Sequence, residues 1–196
     1  MAQTMTDWGY SIEGAEVPPI ISVDDFRLLV PNLSADDDQL EAVLGGVSAA
    51  IRNWCGWHVA PALSCTFVGH GEGRLLMLPG MGVTEVDSLK IGGSAVDASA
   101  YEWTAAGMVR LCGDAFPDAW RSVECAYTAG FTAAAIGQVV AQVASNALVA
   151  APGVREEHAG QVGITYNQTG SGISGGVSLL GRDVELLAPY KLARAW

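Results

Sequence analysis

Two hydrophobic periods alternate along this chain. In "SADDDQLEAVLGGVSAAIRNWCGW", starting at Ser34, the residues Leu40, Val43, Leu44, Val47, Ile51, Trp54 and Cys55 recur at helical spacing. They form one apolar face, with Gly56 as a C-cap. A shorter helix precedes it in "ISVDDFRLLVP". Ser22 is its N-cap, Asp24 and Asp25 suit the positive end of the helix dipole, Ile21 can staple onto Phe26, and Pro31 ends it. From Pro61 to Thr128 the period falls to two. Seven short strands are predicted: "ALSCTFV", "RLLMLP", "VTEVDSLKI", "SAVD", "YEWT", "MVRLC" and "WRSVECAY", with hairpin signals at Gly92-Gly93 and Ala106-Gly107. A long helix follows, within a run from Phe131 to Ala151 that carries no charge. A short helix in "RDVELLAPYKLARAW" closes the chain.

The expected fold class is α+β: a small helical bundle (short helix, long helix, long Ala-rich helix, short C-terminal helix) with an antiparallel β lobe over 61–128 inserted between helices. Residues 1–20 are expected as an extended arm, ending in Pro18-Pro19. Residues 21–196 make the main domain. The segment 153–181, with eight glycines, is expected as a flexible loop. Within it only Val162, Ile164 and Tyr166 alternate like a strand. That apolar face suits addition to a sheet edge of another subunit; an ordinary hairpin inside the chain is the alternative. The pair Gly45-Gly46 inside the second helix costs roughly 1 kcal/mol per glycine, so close packing is expected there.

The long apolar helix resembles a membrane span in length. Ala predominates in it, however, and Gln138, Gln142 and Asn146 recur every four residues along one stripe. The expectation is therefore a largely buried helix whose amides bond to the β lobe or to a neighbouring subunit.

Net charge is −11 and uneven: residues 1–41 hold nine acids against Arg27 alone, while the last fifteen residues are slightly basic through Arg182, Lys191 and Arg194. So acidic a chain lacks the footprint of a tight nucleic-acid binder. It can still line a path along which DNA slides without sticking. The N-terminal "MAQTMTDWGY" lacks the basic and apolar regions of a signal peptide. Cys55, Cys65, Cys112 and Cys125 form no CxxC pair and are expected as buried thiols, and the three histidines are scattered. "GSGISG" matches a dinucleotide-binding pattern, but too little chain follows it for the required βαβ unit. The carboxylates of "SADDDQLE" fit the first turn of a helix. No cofactor, metal or catalytic residue is indicated.

That leaves "VECAYTAGFTAA", a strand that turns into a helix. The order of elements, with "LPGMGVTEVDSLKIGG", "YEW", this Tyr-x-x-Gly-aromatic corner and "VSLLGRDVELLAPYK", resembles the head–tail connector (adaptor) proteins of long-tailed bacteriophages over roughly residues 20–196. On that resemblance Tyr127, Gly130 and Phe131 form a structural corner. The resemblance implies a virion protein of the neck, assembled in the host cytoplasm. It would form a ring of about twelve copies that docks on the portal, receives a stopper or tail terminator, and surrounds a channel through which double-stranded DNA passes. A membrane partner is not implied. Expected interface residues are Gln138, Gln142, Asn146, Val162, Ile164, Tyr166, Arg182, Tyr190, Lys191 and Arg194. Glu156 and Glu157 are the expected channel lining, because negative charge repels the DNA backbone. A stopper or other tail-completion protein, or a membrane-active phage protein, are the alternatives.

Overall fold

A computed structural model describes residues 3–149, 156–159, 162–165 and 179–192. The chain divides into two compact units. One takes Met1–Val17, Gly56–Thr132 and Leu192–Trp196, and the other Pro18–Cys55 and Ala133–Lys191.

The first unit is the β lobe. Its main sheet contains β1 (Gln3–Met5), β2 (Tyr10–Glu13), β3 (Leu63–Gly69), β5 (Glu85–Ile91), β6 (Ser94–Ala95) and β9 (Val123–Ala129). The order is β1-β2-β3-β9-β5-β6, antiparallel throughout. A smaller antiparallel sheet has the order β4-β8-β7, from β4 (Leu75–Met77), β7 (Tyr101–Trp103) and β8 (Met108–Leu111). All seven predicted strands are present. The alternation in β9 is complete: Val123, Cys125, Tyr127 and Ala129 are buried and the residues between them half-buried. They share a core with Tyr10, Ile12, Cys65, Leu76, Leu89 and Val109.

Residues 1–20 differ from the expected arm. Gln3–Met5 and Tyr10–Glu13 form a hairpin that pairs onto β3, so the lobe takes in two strands from well outside 61–128. A local turn makes this possible. Thr6 N and Thr6 Oγ1 both donate to Tyr10 O, at 2.9 and 2.6 Å, and Gly9 holds a φ of +87°. Tyr10 and Ile12 then point into the core. The strand predicted from Trp120 starts only at Val123.

A buried histidine ties this hairpin to the rest of the lobe. The Tyr10 hydroxyl lies 2.6 Å from His58 Nδ1 and accepts from His58 N at 3.2 Å, and His58 Nε2 lies 2.9 Å from Ala129 O. A carbonyl only accepts, so Nε2 carries the proton and Tyr10 donates to Nδ1. Trp57 packs edge-on against both His58 and Phe131. At the corner itself Gly130 has φ +127°, and Phe131 N donates to Val59 O at 2.8 Å.

The second unit is helical: α1 (Val23–Leu29), α2 (Asp37–Cys55), α3 (Ala133–Val149) and α4 (Gly181–Leu187). Ser22 caps α1 in a capping box with Asp25. The second helix starts later than Ser34: Asp36 Oδ1 accepts from Gln39 N at 2.7 Å, so the aspartate is the cap. Leu40, Leu44, Val47, Ile51 and Cys55 are buried, as the helical spacing requires; Val43 and Trp54 are half-buried. Ser48 Oγ accepts from Ile20 N at 2.9 Å, and Arg52 Nη2 donates to Pro18 O at 2.6 Å. In α3, Ile136, Val139, Val140, Val143 and Ala144 are buried.

The close packing expected at Gly45-Gly46 is not seen at Gly45, where a Cβ would meet nothing within 4 Å, and Gly46 is exposed. At Gly137 a Cβ would stand 3.6 Å from Ile21 and 3.7 Å from Leu29, ordinary van der Waals contact. Gly45→Ala is therefore expected to stabilise the chain by about 1 kcal/mol, because it removes backbone freedom from the unfolded state and fills open space. A urea titration checks this; a lower midpoint would mean that the position is spoken for.

The segment 153–181 is not wholly loop. β10 (Glu156–Ala159) and β11 (Val162–Thr165) pair antiparallel, with Glu157 opposite Ile164 and Ala159 opposite Val162. Among the described residues β11 has its partner within the chain. The glycine pattern at Gly170, Gly172 and Gly175 lies outside the described residues.

Candidate functional site: surfaces for assembly

Among the described residues, no group of three or more His, Cys, Asp or Glu could hold a metal, and no helix is long and apolar enough to cross a membrane. Three of the four thiols are buried. Burial pushes Cys55, Cys65 and Cys125 up to about 12; at Cys55 the nearby Lys191 partly offsets the rise, and at Cys125 Asp87 adds to it. Such thiols are poor nucleophiles. Cys112, expected as buried, is exposed because it follows the last residue of β8. The features that remain are surfaces.

The first is an open groove of about 390 Å³ in the helical unit. It is lined by Val30, Asn32, Leu33, Ser34, Ala35 and Gln39 at the α1–α2 turn, and by Leu148 and Val149 at the end of α3. α1 is too short to bury more than Phe26, so Leu28, two residues before Val30 in the chain, stands 81% exposed. Acidic residues mark the same stretch: Asp36, Asp37 and Asp38 are all exposed, and Asp37 pairs with Arg27 at 2.6 Å.

The second is the outer face of the small sheet, where Leu75, Met77 and Met108 are exposed on β4 and β8 beside Arg110. The third is the tip of the 112–122 loop. Phe116 is buried and its N donates to Gly73 O at 2.7 Å; Ser122 O accepts from Gly92 N at 2.8 Å. Anchored at both points, the loop presents Trp120 at 84% exposure, with its ring 4.4 Å from that of His70. Arg121 follows with φ +56°. Sequence reasoning passed over all three. The available signals were two leucines off the Phe26 stripe of a short helix, and a tryptophan three residues after Pro117.

The expected interface residues are scattered. Gln138 and Gln142 are exposed and Asn146 half-buried on α3, and Gln142 Nε2 donates to Asn146 Oδ1 at 3.3 Å. Among the described residues this is the stripe's only hydrogen bond between side chains. Arg182 is exposed on α4. Tyr190 Oη donates to Ala135 O at 3.3 Å, and Lys191 Nζ lies 4.8 Å from the Trp54 ring centroid. Glu156 and Glu157 belong to β10, and Val162 and Ile164 to β11. Tyr166 and Arg194 lie outside the described residues.

Comparisons with known proteins bear on what these surfaces serve. No curated protein sequence matches the chain. Among solved structures it resembles a chain from the neck of an empty GTA (gene transfer agent) particle computed with C6 symmetry, with TM-score 0.60, 19% identity, and coverage of 95% of this chain and 97% of that one. It also resembles one from the neck of the native particle computed with C12 symmetry, with TM-score 0.58, 18% identity and coverage of 100% and 98%. A third, from the virion of the native particle, has TM-score 0.59, 18% identity and coverage of 95% and 97%. At such identities the likeness is one of fold. The sequence itself matches the family model "Head completion protein" over residues 19–150, which takes in α1 to α3 and most of the β lobe. By that match, over more than half its length, the chain belongs to the head completion protein family.

Proposed function

We propose that this head completion protein is a structural connector of the virion neck, a ring of about twelve copies between portal and tail that encloses the DNA channel. The observation that carries the reading is the family match over residues 19–150, joined to a fold shared end to end with neck chains. The twelvefold and sixfold symmetries named for those necks support the copy number. The portal on one side and a stopper or tail terminator on the other are the proposed partners, and assembly takes place in the host cytoplasm. A net charge of −11 suits a wall that double-stranded DNA must slide past. Glu156 and Glu157 on β10 are the proposed lining. The amide stripe of α3, β11 with Tyr166, and Arg182, Tyr190, Lys191 and Arg194 are proposed contacts with neighbours.

Electron microscopy of particles tests this. Wild-type particles should show the chain as a ring at the neck, and particles lacking it should accumulate as heads without tails. Normal tailed particles made without the chain would overturn the proposal.

A further inference from the structure

A closed ring joins unlike faces, so each copy must carry two different patches that complement each other. Two features meet that description. The α1–α2 groove is apolar, with Val30, Leu33 and Val149 in its lining, and its chain neighbourhood is acidic: residues 24–41 hold six acids and one base. The tip of the 112–122 loop has the opposite character, an exposed indole followed directly by an exposed guanidinium.

We propose, resting on the ring reading above, that Trp120 of one copy enters the α1–α2 groove of the next, with Arg121 meeting Asp38 at its rim. Trp and Arg are the side chains most enriched among residues that dominate interface energies. An 84% exposed tryptophan is costly to leave in water and gains most from a preformed apolar slot. The tip is also preorganised. The loop is fastened at Phe116 and Ser122, the His70 ring lies tilted against the indole with centroids 4.4 Å apart, and Arg121 is held at φ +56°, a conformation that non-glycine residues adopt at some cost. On the receiving side Asp38 is exposed, whereas Asp37 already pairs with Arg27 and Asp36 caps α2. Asp114 and Asp118 lie further back in the loop, so the charge next to the indole in the chain is positive.

Paired cysteines in assembled particles test the contact. In a Cys112→Ser background, Ala119→Cys together with Gln39→Cys should give, on mild oxidation, a ladder of cross-linked multimers of this chain, while neither single variant does. Arg121→Glu should lower the yield of tailed particles about tenfold without moving the melting temperature, and adding Asp38→Arg to the same chain should restore it. Neck rings that give no ladder, a cross-link to a different protein, or a charge swap that fails to rescue would each overturn the contact while leaving the ring intact. Absence of the chain from particles would overturn the neck reading, and this inference with it.

Discussion

Gly130→Ala is expected to destabilise the β lobe by roughly 3–5 kcal/mol, a large share of the 5–15 kcal/mol that holds a typical domain folded. Two costs combine. The backbone at Gly130 has φ +127°, which L side chains rarely adopt. A Cβ there would also stand 2.6 Å from Pro61 O and 2.8 Å from Ala62 Cα. These are backbone atoms, so no rotamer change relieves the clash. The neighbouring hydrogen bonds, Gly130 N to Met81 O at 3.1 Å and Phe131 N to Val59 O at 2.8 Å, would have to give way. Urea unfolding of the variant beside wild type measures the loss. An unchanged midpoint would show that the corner relaxes freely, and that its glycine is incidental.

The second large effect is alkaline. Cys55, Cys65 and Cys125 move from 9.0 to about 12 through burial, and burial holds the Tyr127 phenol well above 10.0. Each is an acid whose pKa is raised in the folded state. Below pH 9 both states hold these protons and the full stability is present. Between pH 9 and 12 the unfolded chain releases thiol protons that the native chain keeps, so each group removes about 1.4 kcal/mol of stability per pH unit. Three such thiols make the decline steep. The melting temperature should be level from pH 7 to about 8.5 and drop sharply above 9. Cys125→Val, which keeps the volume and removes one thiol, should make the decline shallower. A profile that stays level to pH 11 would contradict the burial of these groups. Tyr127 offers an internal check at neutral pH. Its hydroxyl has no hydrogen-bond partner among the described residues, so Tyr127→Phe should cost little.

Periodicity made the elements legible. The α2 face and the seven strands of 61–128 follow from spacing, because a helix repeats near 3.6 residues and a strand repeats every two. The N-cap at Ser22 and the corner at Gly130 were also readable, since both depend on residue types at fixed offsets. The family was legible in the order of these elements. What the spacing left open depends on contacts between residues far apart in the chain. The β1–β2 hairpin looked like a loose arm because its strands are short. Only pairing with β3, and a buried link from Tyr10 to His58 across 48 positions, make it part of the sheet. Likewise, a Cβ at Gly137 would touch Ile21 and Leu29 while one at Gly45 would meet open space, because which face of a helix meets a neighbour is settled by where that neighbour packs. The surfaces were the least visible. Leu28, Val149 and Trp120 are ordinary apolar letters in the sequence, and only the tertiary structure decides that they remain in water. Burial is a property of the whole fold, whereas period and capping are properties of a few adjacent residues.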